Sequence, residues 1–426
     1  MPEPYDAPFG PPRPEAGTRF FYGWVIVILG MAIWVLVIGG LYTFGIFFKS
    51  VAAEFGWSRA ATSMASSLIF LVSGLLAFSA GALADRYGPR IVVVACGLLT
   101  GGGYVLVSRV GLHTSLDPLW QYYLFFLLVG MGMSAASAPI MSTVSRWFVE
   151  KRGQALGLTT VGGGLGQVIM PLLAGFLLID HNWRTSYVIM GVIIGAGTIG
   201  MGLFLRRGPR ENGTSTGGGP PGIEGDPEAA SGLSFTFREA IRTRAFWSVL
   251  AAAFLAVFGQ VMVLMHLVNY ATDPGIGISR GMATTFIAVI GGANIAGKLV
   301  VGPVSDRIGR KAALASCFAV AGVMMLLLTR ATSPWMFYGF AVIYGFAFGG
   351  WIPMFPAIIG DLFGTGSLGA LIGATQAGNG LGGGAGPFMA GLIYDQTGSY
   401  FLAFVMVAVL FFAATGLILS IKRPER

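Results

Sequence analysis

The amino-acid sequence predicts an all-α membrane protein with twelve transmembrane helices, arranged as two six-helix halves. The first observation is composition: hydrophobic residues make up 55% of the 426 residues, charged residues only 10%, and mean hydropathy is +0.75. Polar groups are too few to cover a water-soluble protein of this size. The second observation is a series of long apolar runs, and the third is an internal repeat that divides the chain in two.

The apolar runs are about 20 residues long, the length at which an α-helix crosses the hydrocarbon core of a bilayer. They are continuous rather than alternating, which argues against the strands of a membrane β-barrel. We expect twelve such helices, over residues 22–48, 61–83, 90–110, 119–145, 154–179, 185–205, 245–271, 282–303, 312–330, 334–359, 367–393 and 399–421.

Two pairs of segments repeat along the chain in the same order. The stretch 157–175 and the stretch 373–391 keep several glycines and one proline in step. Upstream of each copy, a charged loop at 81–90 returns at 302–311. Duplication in a very apolar chain is typical of carriers whose two halves rock about a central site.

The charged loops predict a cytoplasmic gate. Glycine permits a tight turn, while aspartate and arginine can pair with helix ends or with each other across the cytoplasmic face. We expect a latch that must break when that face opens. An ordinary charged loop is the alternative, and recurrence at the same place in both halves argues against it. The predicted gate residues are Asp85, Arg86, Arg90, Asp306, Arg307 and Arg310.

The distribution of cations predicts the orientation. With both termini in the cytoplasm, the inner segments hold 19 Lys and Arg and the outer segments hold six, as the positive-inside rule requires. We expect a disordered cytoplasmic tail over 1–19, six-helix bundles over 20–207 and 244–426, and a polar cytoplasmic linker over 208–243. The net charge of +8 then reflects topology and contact with anionic lipids, and we expect no nucleic-acid partner.

Several classes of function are excluded. Cys96 and Cys317 lie inside predicted helices without the partners that a disulfide or a metal site needs. The glycines around Gly162 follow no strand, so they do not form a dinucleotide-binding loop. No nucleophile, base and orienting group are gathered, and no metal-ligand spacing appears. We therefore expect no enzyme activity, no cofactor and no metal.

Four short motifs carry a family resemblance. Tyr22-Gly23-Trp24 opens the first helix, Phe47-Phe48-Lys49 ends it, 146–157 (RWFVEKRGQALG) precedes the fifth, and 266–273 (HLVNYATD) ends the seventh. With the charged loops and the six-plus-six pattern, the chain resembles the major facilitator superfamily, and within it the monocarboxylate transporters and oxalate–formate antiporters. The resemblance implies two helical domains around a central cavity, alternating access, and a multi-pass protein of a bacterial inner membrane.

Lys298 is a cation at membrane depth. It lies eight residues before Asp306, which is about 12 Å along a helix, so it does not easily reach the inner surface. A charge at that depth costs several kcal/mol unless it faces a polar cavity, and such residues are candidates for function. An anionic substrate would supply the missing partner. The alternative is a lysine that snorkels or is held neutral by packing.

The resemblance implies an acidic residue and an arginine in helix eight, where this chain has Asn294 and Lys298. Lysine presents a point charge instead of a two-pronged donor, so recognition of a carboxylate is less strict. A desolvated lysine can also give up its proton, whereas arginine effectively cannot. Because Asn294 cannot titrate, Lys49 and Lys298 are the remaining candidates for proton coupling.

Other polar and aromatic residues are candidates for contact with the substrate. His266 and Asn269 lie on one helical face, although a lone helical histidine is as often a packed core residue. Oxalate carriers place a second cation in helix eleven, where this chain has the amides Gln376 and Asn379, so charge balance favours a monoanion. A group of aromatic residues could form an apolar wall of the substrate cavity, and internal packing is the alternative. The group comprises Tyr42, Tyr344, Phe348, Trp351 and Phe355.

The sequence therefore predicts a monomeric secondary carrier that moves a small monocarboxylate such as lactate or pyruvate together with a proton. Lys298 would bind the carboxylate, Asn294 would orient it, and protonated Lys49 would favour entry of the anion from outside. One alternative is exchange or export of an organic anion by the same fold. Another is a transport-dead carboxylate sensor, which needs a larger cytoplasmic platform than the linker provides.

Overall fold

A computed structural model describes residues 21–112, 116–148, 152–208, 235–364 and 368–422, and every regular element within them is a helix. The expected tail 1–19 and most of the expected linker 208–243 lie outside the described residues. The helices are α1 (Gly23–Leu41), α2 (Phe44–Phe55), α3 (Arg59–Tyr87), α4 (Pro89–Val107), α5 (Pro118–Trp147), α6 (Arg152–Asp180), α7 (Trp183–Leu203), α8 (Phe237–Ala240), α9 (Arg244–Ala271), α10 (Arg280–Ile308), α11 (Arg310–Leu328), α12 (Pro334–Phe363), α13 (Leu368–Thr397) and α14 (Phe401–Ser420).

Within the described residues, eleven stretches are long and apolar enough to cross a bilayer. They correspond to eleven of the twelve expected spans, with α1 and α2 together forming the first, Gly23–Phe55. The expected span 367–393 is also helical, as α13, but it is not among the eleven. Its many glycines and the amides of Gln376 and Asn379 lower its hydropathy. The all-α class is confirmed, and the count of twelve crossings stays a prediction.

Local sequence signals place the helix ends. Several helices begin after a short polar side chain that accepts a hydrogen bond from a free backbone N–H of the first turn. These capping residues are Ser58 before α3, Asp117 before α5, Asn182 before α7, Thr243 before α9 and Ser279 before α10.

The two charged loops turn in the same way in both halves. Gly88 separates α3 from α4 with φ at 90°, and Gly309 separates α10 from α11 with φ at 89°. This backbone conformation is strained for residues with a Cβ atom. The glycine of each repeated loop is therefore required by the turn.

Helices α1 to α7 form an N-terminal half and α9 to α14 a C-terminal half, in which helices pack mainly on members of the same half. The main contacts between the halves are α3 with α13, α6 with α10, and α2 with α9. The glycine-rich repeats 157–175 and 373–391 lie in α6 and α13, whereas α3 and α10 end in the charged loops. Two contacts between the halves thus join a glycine-rich helix to a helix that ends in a charged loop.

Glycines also bring helices together inside each half. A Cβ atom added at Gly162 of α6 would collide with the backbone carbonyl of Met31 in α1, and one at Gly349 of α12 would collide with the carbonyl of Asn294 in α10. Such close approach of backbones is the usual reason for small residues in membrane helices. The backbone atoms cannot give way as a flexible side chain would.

We expect Gly162→Val to destabilise the protein, because the new side chain forces α6 away from α1, a change that costs about 1–3 kcal/mol or more. Gly157→Val is the matched control, since a Cβ atom at Gly157 of the same helix meets nothing within 4 Å. The melting temperatures of the two detergent-purified variants measure their stability. Equal melting temperatures for the two variants would contradict the assignment of Gly162 to helix contact.

Candidate functional site

The two halves are joined by a shared carboxylate at the end of the bundle that carries Lys49 and Arg59, called the outer end after the predicted orientation. Asp273 lies in the turn after α9, and its Oδ1 is 2.7 Å from Lys49 Nζ. Arg59 grips the same carboxylate with Nη2 at 2.7 Å from Oδ1 and Nη1 at 3.2 Å from Oδ2. The three side chains are only 14–25% exposed. We call Lys49, Arg59 and Asp273 the outer latch.

Arg59 makes further contacts with the C-terminal half. Its Nη1 donates to the Tyr400 hydroxyl at 2.7 Å, and its guanidinium lies 3.5 Å from the centre of the Tyr394 ring. The Asp395 carboxylate accepts from the backbone N–H groups of Arg59, at 2.9 Å, and of Ala60, at 2.7 Å. The first turn of α3 is therefore capped by a side chain of the opposite half, which couples the end of this helix to closure of the outer side.

His266 continues this network towards the interior. The side chain is fully buried, with Nδ1 at 2.9 Å from the Tyr400 hydroxyl and Nε2 at 3.0 Å from the Pro387 carbonyl and 3.2 Å from Ser63 Oγ. A carbonyl only accepts, so Nε2 carries the hydrogen and Nδ1 accepts from Tyr400. Asn269, expected beside it, donates to the Met265 carbonyl of its own helix. Both residues lie in the closed outer region, and their contact with substrate stays a prediction.

Direct contact between the halves continues from the outer end to mid-depth. Helices α3 and α13 touch from Ala60 and Gly391 down to Gly74 and Gly380. Helices α6 and α10 touch from Gly175 and Thr284 down to Lys298. We call the contact of α6 with α10 the central seam. The hydrogen bonds and ion pairs between the halves named in this section all lie on the outer side of Lys298 or at it.

Two of the described inner-gate side chains, Arg310 and Arg86, make contacts within their own half. Arg310 donates to the Asp361 carboxylate at 2.8 Å, and Arg86 lies 5.3 Å from the centre of the Tyr87 ring. Arg90 and Arg307 are exposed. The side chains of Asp85 and Asp306 lie outside the described part of the chain. The predicted latch between the two cytoplasmic loops thus stays a prediction, and the conformation has a closed outer side.

Lys298 lies where the central seam ends. Its ammonium donates to the Thr160 carbonyl of α6 at 3.1 Å, and no carboxylate pairs with it among the described residues. The side chain is half-buried and points towards the opposite half, not away from the protein. Asn294, one turn towards the outer end, is 2% exposed, and its Nδ2 has no hydrogen-bond partner. Between the halves at mid-depth there is thus a cation without a paired carboxylate among the described residues, beside an amide with an unpaired N–H group.

The remaining predicted site residues divide into two groups. In α13, Asn379 donates to Gln376 at 2.7 Å, beside the contact of Gly380 with Gly74. The aromatic residues of α12 are buried, as is Tyr42, which caps the C-terminal end of α1. Those of α12 pack on rings of the C-terminal half. The group comprises Tyr42, Tyr344, Phe348, Trp351 and Phe355, with Phe318, Phe340 and Phe411 as the packing partners. Their contact with substrate stays a prediction.

Sequence reasoning missed the outer latch. In the sequence, Asp273 is only the last residue of the 266–273 motif, and Arg59 is one of the six cations expected on the outer side. One signal was present, because arginines on the outer side are disfavoured by the positive-inside rule and therefore call for a specific partner. The pairing itself needs tertiary structure, since Arg59 and Asp273 are 214 residues apart.

Comparisons with known proteins agree with this architecture. The sequence model of the Major Facilitator Superfamily matches residues 31–300 and 275–426. The chain is 27% identical to monocarboxylate transporter 13 of Bos taurus over 402 residues, covering 94% of this chain and 89% of that protein. It is 26% identical to the oxalate:formate antiporter of Oxalobacter formigenes over 354 residues, covering 82% of this chain and 78% of that protein.

Among solved structures, a bacterial homologue of the human lysosomal transporter Spinster, in an inward-facing and occupied conformation, superposes with a TM-score of 0.70. The alignment covers 95% of this chain and 97% of that chain at 16% identity, so it shows the shared fold. The resemblance predicted from the motifs is confirmed. This protein belongs to the Major Facilitator Superfamily and is a multi-pass membrane transporter rather than an enzyme.

Proposed function

We propose that this protein is a secondary carrier of small monocarboxylates such as lactate or pyruvate, driven by a proton gradient across a cell inner membrane. Its relatives include a monocarboxylate transporter and an oxalate:formate antiporter, which supports a small organic anion as the substrate. The carrier works as a monomer, because one chain supplies both halves of the central site.

The position of Lys298 is the observation that carries this proposal. Ten residues separate it from the inner end of α10, or about 15 Å of helix. An ammonium group has three N–H donors, and the described contacts use one of them, on the Thr160 carbonyl. A carboxylate arriving from the cavity would supply the missing negative charge. Asn294, one turn away, orients it through its free N–H donors.

Alternating access follows from what the cation does in each state. In the described conformation the outer latch is closed, and Lys298 binds a carbonyl of the opposite half. A bound carboxylate replaces that carbonyl as the partner of the ammonium and so changes the relative stability of the two states. The single cation suits a monoanion, because Gln376 and Asn379 in α13 offer amides and no second charge.

Replacing the central cation tests the proposal. We expect Lys298→Ala to lower kcat/KM for labelled lactate uptake into proteoliposomes at least a hundredfold, since a charged hydrogen bond contributes about 1.5–3 kcal/mol and the charge attraction adds to it. Lys298→Arg, which keeps the charge, retains part of the activity. Lys422→Ala is the control, because that exposed lysine lies beyond the end of α14, away from the seam and from both charged loops. Uptake at the wild-type rate in Lys298→Ala would refute the central role.

Proton coupling has its own test. An inward proton gradient is expected to accelerate lactate uptake several-fold, and the lumen is expected to acidify in step with uptake, as a pH-sensitive dye inside the liposomes reports. Lys49→Gln is expected to weaken this dependence, because it removes one of the two candidate proton carriers. Uptake that neither responds to the gradient nor acidifies the lumen would exclude symport.

Anion exchange is the second candidate. One relative is an antiporter, and the amide at Asn294 does not titrate. Exchange predicts that lactate preloaded in the lumen stimulates uptake of labelled lactate several-fold without any pH gradient, while empty liposomes take up little. Symport predicts net uptake into empty liposomes under a gradient, so the two loading conditions separate the candidates.

The outer latch also makes a testable contribution to gating. We expect Asp273→Asn to increase the population of the state with an open outer side about tenfold. The neutral amide loses charge-assisted hydrogen bonds to Lys49 and Arg59. A cysteine introduced at the buried Ala60, after removal of both native cysteines, reports opening through its labelling rate with an impermeant maleimide. Asp117→Asn is the control, since Asp117 caps α5 away from the interface. Equal labelling rates in both variants would contradict the gating role.

A further inference from the structure

The central seam buries a second amide that the proposed site has not used. Gln167 of α6 is 1% exposed, and its Nε2 has no hydrogen-bond partner. Asn294 of α10 is in the same condition. Both side chains begin at the contact of α6 with α10: a Cβ atom at Gly291 would lie 3.0 Å from Gln167 Cβ, and one at Gly164 would lie 3.4 Å from Asn294 Oδ1. Each half therefore contributes one unpaired amide to the same contact.

These amides lie at the depth where carriers bind their substrates. Gln167 and Asn294 are near the middle of helices of 29 residues each, and Lys298 is about one helical turn nearer the inner end. Facing helices that carry polar groups at the bilayer midplane form the usual substrate site in this type of fold. Lys298, Asn294 and Gln167 thus form a short column of hydrogen-bond donors along the seam.

A buried amide without a partner destabilises a protein, whereas an apolar side chain of similar size would pack in the seam without that penalty. A stability loss at a defined point is what a binding site requires, because the group must be free when the ligand arrives. Another glutamine of the N-terminal half offers a contrast: Gln121 of α5 accepts from the Gly111 N–H and donates to the Leu116 carbonyl.

We propose that Gln167 is a substrate ligand, and that with Asn294 and Lys298 it selects monocarboxylates that carry an oxygen atom on the carbon next to the carboxylate. This inference rests on the proposed function. Lys298 binds the carboxylate, and the two amides donate N–H groups to the keto or hydroxyl oxygen. Because the amides belong to opposite halves, a substrate held between them draws the halves together as the outer side closes.

The burial of the amides limits the side from which a substrate can reach them. The seam is closed in the described conformation, so a substrate that enters from the inner side meets Lys298 before the amides. Opening of the outer side separates α6 from α10 and exposes both amides. A substrate that enters from the outer side therefore reaches the amides directly.

Gln167→Leu tests this role through two readouts, because we expect it to weaken substrate binding and to increase the stability of the ligand-free protein. We expect KM for pyruvate and lactate uptake to rise about tenfold, while KM for propionate, which lacks the extra oxygen, stays within twofold. The ligand-free protein is expected to melt about 2 °C higher, because the unpaired amide is gone. Gln121→Leu is the matched control: it should melt lower and leave the pyruvate-to-propionate ratio of KM unchanged, because it breaks hydrogen bonds away from the seam.

An unchanged pyruvate-to-propionate ratio in Gln167→Leu, alongside normal wild-type uptake, would overturn the role of Gln167 and leave the proposed function intact. A failure of the wild-type protein to transport either acid would instead remove the proposed function. If leucine lowers the yield of folded protein, Gln167→Met, which keeps the side-chain length, is assayed in the same way, and its KM ratio decides the question.

Discussion

The closed outer side depends on one carboxylate shared by two cations. Asp273 pairs with both Lys49 and Arg59, and it offsets the repulsion between these two cations in a partly buried region. Arg59 is held in turn by Tyr400, and the first turn of its helix is capped by Asp395. Such a network is strong when complete and weak when one member is removed, because each charge depends on its partners. It is therefore suited to a gate that must open and close.

On the inner side of the outer latch, small residues in the helices determine over what depth the two halves are in contact. Glycines of α6 and α13 have no side chain, so α6 approaches α10 closely and α13 approaches α3 closely, from the outer end to mid-depth. The close contact of the central seam ends at Lys298, whose ammonium reaches a backbone carbonyl of the opposite half. Lys298 thus lies at the inner end of the contacts described between α6 and α10. A rocking motion changes the surroundings of the residues at this contact more than those of residues inside either half.

Most of the fold could be predicted from local patterns. Helix lengths follow from continuous apolar runs, helix starts from capping residues such as Ser58 and Asn182, and the repeated turns from Gly88 and Gly309. Lys298 could be singled out because a cation at membrane depth is costly wherever it points. The three-residue spacing of His266 and Asn269 places them on one helical face. Spacing alone does not tell what that face contacts. The structure places both in the closed outer region.

The sequence by itself determined the membrane class, the duplicated architecture and the depth of the central cation, because each is set by composition or by residues close in the chain. Only the tertiary structure decided which groups meet across the halves: Asp273 with Arg59, Lys298 with Thr160, and the amides of Gln167 and Asn294 in one seam. These pairings join residues far apart in the chain. Their partners depend on the register between packed helices, which no local pattern of apolar and polar residues specifies.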